Sequence, residues 1–141
     1  MNRPTWSEYF LGIAQAVSAR ASCPRASVGA ILVRENRVLA TGYNGAPAGE
    51  PHCIDRGCIV KRGHCTRAVH AEVNAVAQAA RHGVSVSGAT VFVWDSKGRK
   101  DACPHCQQVL TAAGVTYRVV SGPALTVAPR KVSAKEVKPS V

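Results

Sequence analysis

The chain has 141 residues, with 18 lysines and arginines against 8 aspartates and glutamates, a net charge of +10, and six cysteines. That length suits one domain of ordinary size and is too short for two. Hydrophobic residues make up 46%, enough for a core, and no run of about 18 apolar residues is present to cross a membrane.

Glu8, Gln15 and Arg20 interrupt the N-terminal stretch where a secretory signal would need an unbroken apolar segment, so a cytoplasmic location is expected. Thiols stay reduced there, and six cysteines therefore point to metal before disulfides. The positive charge is compatible with a polyanion, a phosphorylated small molecule or simple solubility.

Thr5-Trp6-Ser7-Glu8 has the form of a capping box, in which the Thr5 hydroxyl and the Glu8 carboxylate satisfy free backbone amides. Tyr9, Phe10, Ile13, Ala16 and Val17 then follow at helical spacing, predicting a helix to about Arg20 that ends before Pro24. The segment 27–34 (SVGAILVR) and the segment 37–43 (RVLATGY) predict two strands joined at Glu35-Asn36 as a hairpin. A polar stretch with three cysteines and no clear periodicity comes next.

Residues 69–82 predict a second helix, rich in alanine and stopped at His82-Gly83. Residues 89–94 (ATVFVW) predict a strand covered on both faces. A charged loop leads to a third helix over 103–113, and 115–120 predicts another strand. Strands alternating with helices argue an α/β layered fold. Residues 1–120 are assigned to this domain and 121–141 to a basic, proline-containing tail with some disorder, in which 125–127 could add an edge strand.

Two short pieces carry chemistry, His70-Ala71-Glu72 and Cys103-Pro104-His105-Cys106, each opening a predicted helix. Cysteines at i and i+3 lie on neighbouring sides of a helical turn, so both sulfurs can reach one ion. One histidine and two cysteines supply three ligands of the four that zinc takes, leaving the position that a catalytic site keeps for water. Helix N-termini favour thiolate, and two thiolates neutralise the dication. Glu72, two residues after the histidine, is then placed as proton carrier. Each half is common by itself; the ordered pair is the signature of zinc deaminases that act on bases.

The resemblance extends further. The run Gly42-Tyr43-Asn44-Gly45-Ala46-Pro47-Ala48-Gly49, then His52-Cys53-Ile54-Asp55, Gly57-Cys58, His64-Cys65 and Val69-His70-Ala71-Glu72-Val73-Asn74-Ala75 resembles bacterial and phage deoxycytidylate deaminases, closely over 6–80 and more loosely to 120. The resemblance implies that His70, Cys103 and Cys106 hold a catalytic zinc, with Glu72 as proton shuttle. It also implies Asn44 against the sugar, the Ala71 amide against the base carbonyl, and a homo-oligomer. Zinc lowers the pKa of water from 15.7 toward ~7, which suits addition of water to C4 of a cytosine ring.

Four cysteines remain, Cys23, Cys53, Cys58 and Cys65, enough for a structural zinc site, with His52 or His64 as possible substitutes for one of them. The resemblance suggests a second zinc near Cys23 and Cys53. The competing reading is four thiols without metal.

The chain departs from the family pattern at Ala102, where a proline precedes the first cysteine in relatives, and in the long loop 94–101. Lys97, Arg99 and Lys100 could grip a phosphate there, Trp94 could stack on a base, and Asp95 could accept a hydrogen bond from an amino group. The fold expected is a three-layer α/β/α domain of the cytidine deaminase type, with a mixed sheet of four or five strands. The reaction expected is hydrolytic deamination of a cytosine nucleotide, most simply deoxycytidylate to deoxyuridylate and ammonia. Alternatives are another amino-heterocycle (a modified base or a biosynthetic intermediate), a nucleic-acid deaminase, and a non-catalytic zinc module. Seven aromatic residues are few for stacking along a strand, which disfavours nucleic acid, and the presence of Glu72 disfavours the module.

Overall fold

A computed structural model describes residues 3–62, 64–65, 67–123 and 130–131, the two short pairs by their backbone only. Helix α1 (Trp6–Ser18) begins at Thr5, whose Oγ1 accepts from the Glu8 amide at 3.2 Å and donates to the Glu8 carboxylate at 3.1 Å. The two side chains thus bond to each other, a variation on the reciprocal capping expected. Strands β1 (Val28–Arg34) and β2 (Arg37–Tyr43) follow. Glu35 and Asn36 join them with positive φ values of 53° and 59°. That is the two-residue turn whose twist matches a hairpin, and asparagine tolerates it better than most residues.

Between β2 and the next long helix lie α2 (Cys53–Arg56) and a two-stranded ribbon of β3 (Val60–Lys61) and β4 (His64–Cys65). Then come α3 (Ala71–Arg81), β5 (Thr90–Asp95), α4 (Pro104–Ala112), β6 (Tyr117–Ser121) and β7 (Arg130–Lys131).

The main sheet is mixed, with strand order β2-β1-β5-β6-β7. Among the described residues only β5 and β6 run parallel, joined by α4 in the βαβ manner. The five strands meet the upper expectation from sequence. The edge strand lies at 130–131 and pairs with 117–118; the segment 125–127 falls outside the described residues.

Period-two alternation sorts side chains onto the two faces. Ile31, Val33, Phe92 and Val119 meet Phe10 and Ala14 of α1. Val28, Ala30, Leu32, Val91, Val93 and Val120 meet Ala71, Ala75 and Ala79 of α3 and Leu110 of α4. The result is the expected three-layer α/β/α arrangement.

Small residues let α3 lie close on the sheet. A Cβ on Gly42 would sit 2.4 Å from both the Ala71 carbonyl oxygen and the Ala75 nitrogen, which are backbone atoms that cannot step aside. Gly42 therefore sets the depth at which the first turn of α3 rests on β2. Gly42→Ala is expected to lower stability by about 1–3 kcal/mol, as overpacking of a rigid contact does. Urea unfolding of the variant beside the parent checks this, and an unchanged midpoint would contradict the close packing described.

Candidate active site and metal centre

The C-terminal ends of β2 and β5 and the start of β1 lie at one edge of the sheet, since Val28 pairs with Asp95 and Gly29 with Tyr43. The N-termini of α3 and α4 open at the same edge. A cavity of about 340 Å³ occupies it, lined by Val28 of β1, Val93 and Asp95 of β5, Ala71 and Glu72 of α3, Asn44 just after β2 and Cys103 at the cap of α4.

His70 is the N-cap of α3 and Cys103 the N-cap of α4, so both precede their helices in extended backbone. Cys106 follows in the first turn of α4, fully buried. Pro104 sits at the helix start, where a missing N–H costs nothing. This explains how the chain tolerates a proline after the first cysteine instead of before it.

The His70 Nδ1 atom lies 3.2 Å from Cys106 Sγ and 3.4 Å from Cys103 Sγ. Ligands of a tetrahedral zinc with bonds of about 2.0 and 2.3 Å stand about 3.6 Å apart, so the three donors already occupy nearly the edges of such a polyhedron. The donor chemistry also fits. Burial, then Glu72 and Cys103, push the Cys106 thiol far above its usual range, and burial raises the Glu72 carboxyl. A dication between the histidine and the two sulfurs would reverse that penalty on the Cys106 thiolate.

Glu72 is 6% exposed, lines the cavity and interacts with the Cys106 thiol. The first amides of α3 have no acceptor inside the helix, and Ala71 lines the cavity beside Glu72. Asn44 lines it too. Its Oδ1 accepts from the Val28 amide and its Nδ2 donates to the Ala26 carbonyl, both at 2.8 Å, leaving each end of the amide one further hydrogen bond.

Trp94 does not join this group. It packs with the α1 layer, on the face of the sheet away from the cavity, because Val93 and Asp95 on either side of it face the other way. Asp95 does face the cavity, 4% exposed. Both of its carboxylate oxygens are engaged, one by the Lys97 amide at 2.8 Å and one by Arg99 Nη1 at 3.2 Å. Of the three basic residues in the loop, Arg99 alone lines the cavity, while Lys97 and Lys100 are exposed away from it.

Asn74 was missed in the reading of the sequence. Its Nδ2 donates to the carbonyls of Tyr43 at 2.8 Å and of Gly45 and Val69 at 3.3 Å. It ties the start of α3 to the loop carrying Asn44. The signal was available: a lone asparagine in an alanine-rich helix is a propensity cost that asks for a reason.

A second group of donors is Cys23, Cys53 and Cys58, whose sulfurs lie within 4.8 Å of one another. The Cys65 and His64 side chains fall outside the described residues. His52 bonds through Nδ1 to Ser22 Oγ at 2.7 Å.

Comparison with known proteins follows from this geometry. Residues 4–122 match the cytidine and deoxycytidylate deaminase zinc-binding region. The chain is 40% identical over 126 residues to deoxycytidylate deaminase of Mycobacterium phage D29, covering 82% of this chain and 93% of that protein. It is also 40% identical over 115 residues to ComE operon protein 2 of Bacillus subtilis, covering 82% of this chain but 58% of that relative's length. Among solved structures, a dCMP deaminase of cyanophage S-TIM5 in complex with dCMP and dUMP superposes with a TM-score of 0.69 at 30% identity, over 86% of this chain and 85% of that one. The chain belongs to the cytidine and deoxycytidylate deaminase zinc-binding family.

The loop that reaches Cys103 is held by Asp101, whose carboxylate takes a two-pronged ion pair from Arg118 at 2.5 and 2.9 Å and also accepts from the Ala102 amide at 2.8 Å. Arg118 is 11% and Asp101 25% exposed. Arg118→Ala is expected to cost about 1–3 kcal/mol, between the exposed and buried limits for such pairs. It should also speed loss of metal to a chelator, read by a colorimetric zinc dye. Metal release at the parent rate would show that the pair does not position Cys103.

Proposed function

We propose that this chain is a zinc-dependent deaminase that hydrolyses deoxycytidylate to deoxyuridylate and ammonia. The observation that carries the reading is the meeting of His70 Nδ1, Cys103 Sγ and Cys106 Sγ beside a buried Glu72 at one cavity. The phage and cyanophage relatives named above support the choice of nucleotide.

Zinc held by His70, Cys103 and Cys106 would supply Lewis acidity and bring the pKa of water from 15.7 toward ~7. The protein residues do the rest. A Glu72 carboxylate oxygen takes a proton from the water that adds to C4 and gives it to ring N3. A second proton passes through the same carboxylate to the 4-amino nitrogen. The C4–N4 bond then breaks, ammonia leaves, and C4 keeps the oxygen. Burial raises the proton affinity of Glu72, which suits a group that must hold a proton between uptake and delivery. In this reading the Ala71 amide donates to the base carbonyl, and Asn44 meets the sugar with its remaining hydrogen-bonding capacity.

We extend the proposal to a second, structural zinc on Cys23, Cys53 and Cys58, with Cys65 as the fourth ligand. Three converging thiols support it. So does the poor packing of this segment: Ile54, Ile59 and Val60 are 63%, 43% and 52% exposed, so apolar burial does not hold it in place. The same exposed residues support a homo-oligomer in which a neighbouring copy covers them. The catalytic unit is proposed as residues 1–120 with 121–141 as a tail that lends the sheet its edge strand at 130–131, and the described cysteines, which form no disulfide, suit a cytoplasmic setting. Among the described residues no helix is long and apolar enough to cross a membrane.

Glu72→Gln should keep its zinc and lose about 10²–10⁴-fold in kcat on deoxycytidylate, followed by ammonia release. A variant with full zinc and full turnover would sink the assignment. A parent protein that releases ammonia from free bases or single-stranded oligonucleotides but not from deoxycytidylate would replace the proposed substrate.

Elemental analysis of the purified protein is expected to give two zinc ions per chain, and Cys53→Ser one. A value of one for the parent removes the structural site.

A further inference from the structure

Resting on the deoxycytidylate reading, we propose that Arg99 and Arg25 form a two-arginine clamp for the 5′-phosphate of the substrate, with Asp95 as the positioning residue that aims Arg99.

Both arginines line the cavity that holds His70, Glu72 and Cys103, and they reach it from different elements. Arg25 comes from the segment before β1 and forms no ion pair among the described residues. Arg99 comes from the loop after β5. Its side chain is 57% exposed, so its pair with Asp95 at 3.2 Å is of the weak, solvated kind that a better partner can displace or share. A guanidinium has five donors in a planar fork and uses one of them on Asp95, which leaves a face for a phosphate dianion.

Charge makes the clamp necessary. Glu72, Asp95 and Asp101 all line the same cavity, so three carboxyl groups face whatever enters it. A phosphate dianion would be repelled from such a lining unless cations met it. Lys97 and Lys100 lie off the cavity and cannot serve.

The loop is also built to present Arg99. Asp95 Oδ1 takes the Lys97 amide and the Gly98 amide donates to the Asp95 carbonyl at 3.0 Å, closing a turn. Gly98 takes φ 66° at the bend, and the chain folds back so that Arg99 returns to Asp95. The far end is tied by Asp101 to Arg118. A buried carboxylate thus organises an exposed loop around one cation that reaches the site.

The experiment compares kcat/KM on deoxycytidylate and on deoxycytidine for the parent, Arg99→Ala, Arg99→Lys, Arg25→Ala and Asp95→Asn, with Lys97→Ala and Lys100→Ala as controls. Calorimetric binding of deoxyuridylate against deoxyuridine is measured for the same proteins. Arg99→Ala and Arg25→Ala should each lower the nucleotide-to-nucleoside ratio of kcat/KM tenfold or more, mainly through KM. Arg99→Lys should recover part of the loss, and Asp95→Asn should move the ratio the same way by less. The two lysine variants should match the parent.

An unchanged ratio in Arg99→Ala, or an equal loss on both substrates, overturns the clamp. If the parent does not deaminate deoxycytidylate at all, the functional reading falls by itself. The clamp is then judged by binding: it survives if deoxyuridylate binds at least tenfold tighter than deoxyuridine and Arg99→Ala removes the difference, and it fails otherwise.

Discussion

Two helices must begin at one place, and the rest of the site depends on that constraint. Three metal donors come from the starts of α3 and α4, which are far apart in sequence, and neither helix could supply a closed set alone. The sheet brings them together. A right-handed crossover from β5 to parallel β6 puts α4 on the same face as α3, and the alanines at 71, 75 and 79 let α3 settle deeply against the strands. Each helix start also contributes its unpaired amides, and Cys103 Sγ accepts from the Cys106 amide at 3.4 Å. Local helix geometry thus stabilises thiolate at the same point where a dication would be held.

A second constraint operates beside the first. The loop from Asp95 to Asp101 is long and polar, and polar loops next to cavities usually move. Here its two ends are pinned by carboxylates with different surroundings. Asp95 is buried and bonds to its own loop; Asp101 is partly exposed and bonds across to β6. The loop is held by hydrogen bonds and ion pairs and contributes little apolar burial. Substrate contacts can therefore vary there without disturbing the core, which ends two residues earlier at Val93 on that face.

How far the site was readable depends on range. His70, Glu72, Cys103 and Cys106 stood out because ligand spacing and helix starts are local signals, and the structure brings these four residues together. The β1–β2 hairpin was legible for the same reason, through Glu35-Asn36. Trp94 was misplaced although strand alternation, applied strictly, puts it opposite Val93 and Asp95. Helix α2 and the β3–β4 ribbon were not legible, since elements of two to four residues have no period to detect and this region lacks a packed face. Cys23, Cys53 and Cys58 could be suspected as a set by counting and by the family resemblance; their approach in space is a long-range property of the fold. Asn74 carried a signal that went unread, because its three carbonyl partners lie in segments that no pattern links to α3.

Net charge is the feature where placement changes the meaning most. A value of +10 first suggests a polyanion. Yet residues 121–141 supply four of the basic side chains against one acidic, and Lys97 and Lys100 are exposed and do not line the cavity. The cavity itself is lined by three carboxyl groups and two arginines, close to balance. A polyanion would meet the outer charge through many weak, salt-screened contacts. A single phosphate entering the cavity would meet the two arginines that line it, Arg25 and Arg99. The fields that matter for recognition are those inside about a Debye length of the reacting atoms, and within that distance this basic protein is nearly neutral and sharply patterned.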